Sequence, residues 1–280
     1  MSEVIAPVKG TRPEGATTEA EASKKVRDMF TQIAPRYDLL NHLLSFDLDR
    51  LWRARAAKHL RPILGRPDAV VLDLCCGTGD LAFALAHAGK ARILGADFAH
   101  TMLVRAKGKS ADVSAVDGAN ATTRVPFFEA DALRLPFADA SFDLVTSAFG
   151  FRNLANYEAG LREIQRILKP GGTVAILEFA EPPEGFLGDL YRWYFTKVLP
   201  RIGWLISGHQ SAYTYLPKSV ARFFRPPELA ALMQSVGYQS VAFREWTMNT
   251  VALHTGTQSR VSSSILPVQQ RVVSGEASSE

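Results

Sequence analysis

One short stretch constrains this chain more than any other. Ala69-Val70-Val71-Leu72-Asp73-Leu74 is an aliphatic run of strand length, and it ends directly in Cys75-Cys76-Gly77-Thr78-Gly79. Leu81 to Ala88 follows with helical apolar spacing. A strand, a glycine turn and a helix in that order bring a sheet's backbone close to a ligand, because glycine adopts the positive φ angles such turns need. In open α/β sheets ligands bind beyond the carboxyl ends of the strands. Gly77, Thr78 and Gly79 are therefore candidate contacts to a nucleotide-like ligand.

The pattern downstream repeats the unit. Strand-like runs at Ala91 to Ala96, Val125 to Glu129, Phe142 to Phe149 and Thr173 to Phe179 are interleaved with helical patterns at Thr101 to Lys107 and Tyr157 to Leu168. These runs lack clean apolar–polar alternation, as parallel strands covered on both faces do. Pro227 to Val236 adds a helix, and Tyr238 to Thr247 with Asn249 to Gly256 reads as a closing hairpin. The expected fold is α/β, a doubly wound, mostly parallel sheet of seven strands.

Upstream, Val26, Met29, Phe30 and Ile33 fall at helical spacing and Pro35 interrupts them. Asp47-Leu48-Asp49 is expected to cap a further helix, Arg50 to Leu60. Residues 24 to 60 then form a helical cap on a single domain spanning 23 to 257, with a second, inserted cap at 183 to 225. Residues 1 to 22 have almost no large apolar side chains, and 258 to 280 show no clear period; both are expected as disordered tails.

Three acids set the charge of the expected ligand. Asp73 ends the first strand, four residues before Gly77, and Asp97 ends the second, 20 residues after it. An acid at Asp97 suits two ribose hydroxyls. The spacing Gly77-x-Gly79-x-x-Ala82 also satisfies a dinucleotide fingerprint, so the loop alone leaves the ligand open. Asp73 separates the readings: beside a pyrophosphate it repels, and beside the ammonium and sulfonium of S-adenosylmethionine it attracts. Asp131, after the third strand, is placed to accept from an adenine amino group. For Asp73 and Asp97 the plainer alternative is helix capping, and for Asp131 a solvated loop.

Composition narrows the class. With 280 residues, 47% apolar and 21% charged, the chain is neither disordered, collagen-like nor coiled-coil. No run approaches the ~18 to 20 apolar residues of a spanning helix. The start, MSEVIAPVKGTRPEG, has no basic and apolar leader pattern, so secretion is not expected. The only cysteines, Cys75 and Cys76, are adjacent, which excludes a disulfide framework and suits the cytoplasm. They offer no zinc spacing, and His42, His209 and His254 form no metal-ligand pattern, so no metal is expected. A net charge of +4 permits an anionic partner without requiring one.

With these residues in view, Leu72-Asp73-Leu74-Cys75-Cys76-Gly77-Thr78-Gly79-Asp80-Leu81 resembles motif I of class I methyltransferases. More narrowly, the chain resembles the menaquinone/ubiquinone C-methyltransferase family. The resemblance is carried by Met29-Phe30-x-x-Ile33-Ala34-Pro35-Arg36-Tyr37-Asp38 with Asn41, Leu135-Pro136-Phe137 with Ser141-Phe142-Asp143, Ala148-Phe149-Gly150-Phe151-Arg152-Asn153, Leu168-Lys169-Pro170-Gly171-Gly172, and Val251-Ala252-Leu253-His254-x-Gly256. These extend over about residues 25 to 256. The R-Y-D and F-G-x-R-N pieces are the narrow ones.

The resemblance implies contacts to S-adenosylmethionine from Thr78, Asp97, Asp131 and Ala132. The family often has Ser directly before F-G-x-R-N; here Ala148 stands there and Ser147 one place earlier, leaving Ser147 as the candidate. Cys75 replaces the customary first glycine of motif I. The implied reaction is methylation of a ring carbon on a polyprenylated quinol, demethylmenaquinol or the benzoquinol precursor of ubiquinone. Such a carbon becomes nucleophilic when the neighbouring hydroxyl loses its proton, so the protein must align it and favour the phenolate. Arg152, just beyond the fourth strand, is the expected stabiliser, Asn153 the orienter of the ring, and Tyr37 and Asp38 would close the site from the cap. A surface salt bridge for Arg152 and a packed aromatic for Tyr37 are the plainer alternatives.

From Tyr191 to Arg225 the chain has nine aromatics, six Lys or Arg and no acid. That mixture suits a lid against an anionic bilayer, from which a prenyl tail could be drawn; a core-covering helix pair with a basic face is the alternative. Two other functions are disfavoured. A nucleic-acid amino-methylase would carry [DN]-P-P-[YF] where Ser147-Ala148-Phe149-Gly150 stands, so no nucleic-acid partner is expected. A nicotinamide enzyme would not place Asp73 beside a pyrophosphate.

Overall fold

The computed structural model describes residues 10–116, 125–181, 184–198, 201 and 210–259. Five strands, β1 (Val70–Leu74), β2 (Arg92–Asp97), β3 (Phe127–Glu129), β4 (Phe142–Ala148) and β5 (Leu168–Phe179), run parallel. The hairpin strands β6 (Gln239–Trp246) and β7 (Val251–Thr257) complete the sheet, with β7 antiparallel to β5. The order is β3-β2-β1-β4-β5-β7-β6, so the winding reverses between β1 and β4. A crevice opens at such a reversal, beyond the strand ends.

Helices cover both faces because β1 is buried on both. Leu72 and Leu74 pack with α7 (Tyr157–Ile167) and α10 (Pro226–Val236). Val71 packs on the other face with Trp52 of α3 (Leu48–His59) and Leu85 of α5 (Asp80–Ala88). Side chains alternate along a strand, so Asp73 falls on the face of Val71. Thr146 lies opposite Asp73 in the β1–β4 register.

The N-terminal cap is helical, as expected: α1 (Glu19–Ile33), α2 (Tyr37–Leu44), α3 and the short α4 (Arg61–Leu64). Thr18 and Glu21 form a capping box at the start of α1. Several expectations are corrected. The segment 10–22 is not a tail: α1 begins within it, and Thr11 N donates to Leu154 O at 2.8 Å. Gln258 is likewise tied by backbone hydrogen bonds to Gly171 and Gly172; residues 1–9 and 260–280 of the two expected tails lie outside the described residues. Asp47 precedes α3 in a left-handed conformation without a side-chain cap bond, and Asp49 is buried against Arg53 instead. The helix expected at 101 to 107 runs as α6 (His100–Val116). β5 starts at Leu168, taking Lys169-Pro170-Gly171-Gly172 into the strand through a register shift opposite β4.

Within the expected inserted cap lie α8 (Phe186–Trp193) and α9 (Gln210–Ala221). Residues 202–209 of that cap, His209 among them, are outside the described residues.

Candidate active site

The β1–α5 loop is bent by three left-handed residues, Cys75 (φ +55°), Gly77 (+55°) and Gly79 (+87°). Its amides continue towards the neighbouring strand: Cys76 N donates to Ala96 O at 3.0 Å and Gly77 N to Asp97 Oδ2 at 2.8 Å. A side chain at Gly79 would stand 2.9 Å from Phe83 and Phe127, so this glycine is fixed by packing. At Gly77 a Cβ would meet only Tyr37, at 3.9 Å; there the backbone conformation selects glycine. Gly150 presses on the same loop, since its Cβ would lie 2.4 Å from Cβ of Cys75.

Between these elements lies a pocket open to solvent. Asp73, Asp80, Asp97 and Asp131 line it with Gly77, Thr78 and Ala132, and so do Phe30, Tyr37, Phe98, Met102, Phe149, Asn153 and Leu154. Acidic and apolar side chains thus share one wall.

Asp73 is 1% exposed. Its Oδ1 accepts from the Thr146 hydroxyl at 2.9 Å, and Oδ2 has no hydrogen-bond partner. Burial, with some repulsion from Asp97, outweighs the Thr146 bond and the Arg53 charge and pushes its pKa up to about 7. Asp97 accepts from Gly77 N and, through Oδ1, from Ala99 N at 2.9 Å. Burial still raises it to about 6. Two buried carboxylates, one of them with an unpartnered oxygen, fit a cation and its hydroxyl-bearing neighbour, as the acceptors that S-adenosylmethionine needs. Asp131 is exposed and holds its own turn, Oδ1 accepting from Leu133 N at 2.9 Å.

Four of the sequence candidates stand outside the cavity wall. Gly79 is the N-cap of α5. Ser147 is buried beneath Gly150 with its hydroxyl unpartnered; alternation puts it on the opposite face from Thr146 and hence from Asp73. Asp38 turns to Thr78, whose hydroxyl donates to it, and to Lys109 Nζ at 2.7 Å. Arg152 lies behind Asn153, its Nη1 bound to Glu178 at 2.8 Å and its guanidinium 5.3 Å from the Phe179 ring centre. Burial opposes its charge, but Glu178 outweighs burial and holds the pKa above its ordinary value.

Three charged residues escaped the sequence reading. Arg53 lines the cavity from α3, bound to Asp49 and 5.6 Å from the Phe149 ring centre. Lys109 joins Asp38, Thr78 and Asp80 at 2.7 to 2.9 Å. Glu178 ends β5; an acid closing an otherwise apolar strand was the available signal. His42 meets Asp49 at 2.8 Å and Asp80 at 3.8 Å, a grouping its sequence spacing did not suggest. A cation there would have to displace Arg53 and Lys109 from those acids.

A doubly wound sheet with this loop and buried acids lining its crevice is the α/β methyltransferase fold. Residues 18–258 match the model of the ubiE/COQ5 methyltransferase family, and the chain belongs to that family. It uses S-adenosylmethionine as its methyl donor, as the resemblance implied. It is 49% identical over 229 residues to a demethylmenaquinone methyltransferase of Thermus thermophilus, covering 81% of this chain and 99% of that one. A demethylmenaquinone methyltransferase of Deinococcus radiodurans is 45% identical over 237 residues, covering 84% and 93%. The Geobacter sulfurreducens ubiquinone/menaquinone biosynthesis C-methyltransferase UbiE is 42% identical over 238 residues, covering 84% and 89%. A Thermotoga maritima SAM-dependent methyltransferase shares the fold, with TM-score 0.56 and 21% identity over 82% of this chain and 99% of its own. So does the [4+2]-cyclase SpnF, with TM-score 0.60 and 16% identity over 89% and 99%. A cyclase on this scaffold means that the fold alone does not fix the reaction.

Proposed function

We propose that this protein methylates the ring carbon of demethylmenaquinol, a late step of menaquinone biosynthesis. The observation that carries the reading is one pocket lined both by the buried acids Asp73 and Asp97 and by Phe30, Phe98, Met102 and Phe149. The acids suit a cationic nucleoside, the apolar side chains a fused aromatic ring. The named relatives at 49% and 45% identity favour the naphthoquinol over the benzoquinol.

When bound, S-adenosylmethionine would supply a sulfonium methyl: the ring carbon would bond to it as the S–CH₃ bond breaks, S-adenosylhomocysteine would leave, and the ring proton would pass to solvent. Asp73 holds the ammonium end, Asp97 the ribose hydroxyls, and Asp131 with Ala132 the adenine. Tyr37 and Asn153, polar groups of the same wall as Phe149, contact the quinol oxygens. Burial raises the Tyr37 pKa, so its hydroxyl stays protonated and donates. Arg152 stabilises developing phenolate charge from behind them, with its own charge already balanced by Glu178. Asp38 acts through Thr78 and Lys109 to hold α2 against the glycine loop.

The same reading has the enzyme working from the cytoplasmic side against an anionic bilayer. No helix of the described residues is long and apolar enough to cross a membrane. On α8, Phe186, Leu190 and Trp193 follow at helical spacing and are 80%, 50% and 57% exposed. Exposed Phe46 extends this face through Tyr194, 5.7 Å between ring centres. Lys197 and Arg201 lie exposed beside it and complement anionic headgroups.

The test is transfer of labelled methyl from S-adenosylmethionine to reduced demethylmenaquinone, with the benzoquinol precursor and bulk RNA in parallel. Label in menaquinone supports the proposal; label confined to RNA ends it.

A further inference from the structure

Residues 10 to 12 dock on the loop that follows β4. Thr11 N donates to Leu154 O at 2.8 Å, and the Arg12 guanidinium to Ala155 O at 2.7 Å. A Cβ on Gly10 would stand 2.0 Å from Ala155 O, so only glycine permits the approach. This segment precedes the region matched by the family, which starts at residue 18.

The docked segment reaches the cavity through one side chain of α9. Thr11 Oγ1 and Tyr215 Oη are 2.9 Å apart, and the Tyr215 hydroxyl donates to Asn153 Oδ1 at 3.0 Å. A phenol has a single proton. With that proton directed at Asn153, the Thr11 hydroxyl donates to Tyr215. The carboxamide oxygen of Asn153 is thereby held towards α9, and its NH₂ turns the other way, one N–H donating to Phe149 O at 3.5 Å.

We propose that Thr11 and Tyr215 are positioning residues of the active site, fixing Asn153 so that it presents its remaining N–H donor to a substrate oxygen. The inference rests on the methyl-transfer reading above. An untethered carboxamide would turn its oxygen to the substrate as readily as its nitrogen, and an oxygen repels a phenolate. The relay spans 204 residues of chain between Thr11 and Tyr215, so it closes only when the N-terminal segment and α9 are both seated.

The test uses full-length Tyr215→Phe, Thr11→Val, Asn153→Ala and the Asn153→Ala/Tyr215→Phe double variant. With demethylmenaquinol, Tyr215→Phe is expected to lower kcat about tenfold. Thr11→Val lowers it less, and cofactor Kd stays at the wild-type value. The double variant should be no slower than Asn153→Ala alone, a non-additivity that loss of packing does not produce. Amide hydrogen exchange across 150–156 should quicken in Tyr215→Phe and Thr11→Val while 70–79 is unchanged. Wild-type kcat in Tyr215→Phe, or losses that multiply in the double variant, overturns the proposal. If the wild type does not methylate the quinol, the substrate reading falls; exchange then decides the relay alone, and unchanged rates across 150–156 overturn it.

Discussion

Arg152 Nη1 and Glu178 Oε2 meet at 2.8 Å, their side chains 6% and 1% exposed, and the other Glu178 oxygen takes the Arg152 backbone N–H at 3.0 Å. A pair this dry is costly to break from one side, because the remaining charge has no water. Arg152→Ala should therefore destabilise the fold by about 3 to 5 kcal/mol. Arg152→Ala/Glu178→Ala should be more stable than Arg152→Ala, although two side chains are missing. Urea unfolding of the three proteins checks the order.

The raised carboxyls give a pH dependence with a definite sign. At pH 6 Asp73, at about 7, is largely protonated in the free protein. Binding a cation favours its ionised form, so S-adenosylmethionine should bind more tightly as pH rises through 7, releasing up to one proton. Calorimetry in buffers of different ionisation enthalpy measures that release, and Asp73→Asn should abolish the dependence. Stability of the free protein should run the other way. Asp73 and Asp97 bind protons more readily folded than unfolded, so stability rises as pH falls from about 7 towards 5. Nearer pH 4 it turns down, as Asp49, Asp80 and Asp143, all held low, begin to lose their stabilising charge.

Gly150 has no room for a methyl group beside Cys75. Gly150→Ala must push the F-G-x-R-N segment off the glycine loop, and should cost about 1 to 3 kcal/mol together with cofactor affinity. Gly108, with nothing within 4 Å, is the control: Gly108→Ala sits in α6 and should stabilise slightly.

Lys109 ties α2 to the glycine loop through Asp38 and Thr78. Lys109→Met removes the tie while keeping the stem. Partly exposed, the pair contributes about 1 kcal/mol, so cofactor dissociation should quicken about fivefold by stopped flow. Wild-type dissociation would show that α2 is held by its apolar contacts alone.

Replacing Phe186, Leu190 and Trp193 with Ser should weaken binding to anionic vesicles about tenfold or more, and leave turnover of a short-tailed quinol in detergent unchanged. Flotation with phosphatidylglycerol vesicles reads the first effect.

What the sequence disclosed was local. The glycine loop and the acids Asp73 and Asp97 were legible because strand, turn and helix are contiguous and their geometry follows from residue type. Lys109 was not, since Thr78 and Asp80 reach it only through the winding of α5 and α6 on the sheet, and Asp38 only after the cap folds back. Arg53 and Glu178 were hidden similarly, each read as part of its own helix or strand. Ser147 is instructive: the β1–β4 register puts Thr146 opposite Asp73, and alternation then turns Ser147 away. Residues 10 to 12 were taken for tail because they bury little apolar surface; backbone hydrogen bonds hold them, and composition does not record those.

The rings of Phe149 and Phe179, 4.6 Å apart, carry Arg53 on one side and Arg152 on the other, with Trp52 against both. The N-terminal helices are thus keyed to the ends of β4 and β5 by a shared aromatic pair. A chimera that exchanges the helical cap between two relatives at a junction near residue 66 would cut this lock while leaving every residue of the glycine loop in place. Cap, Phe149 and Phe179 have to travel together, which makes them one heritable module although they come from three separate parts of the chain.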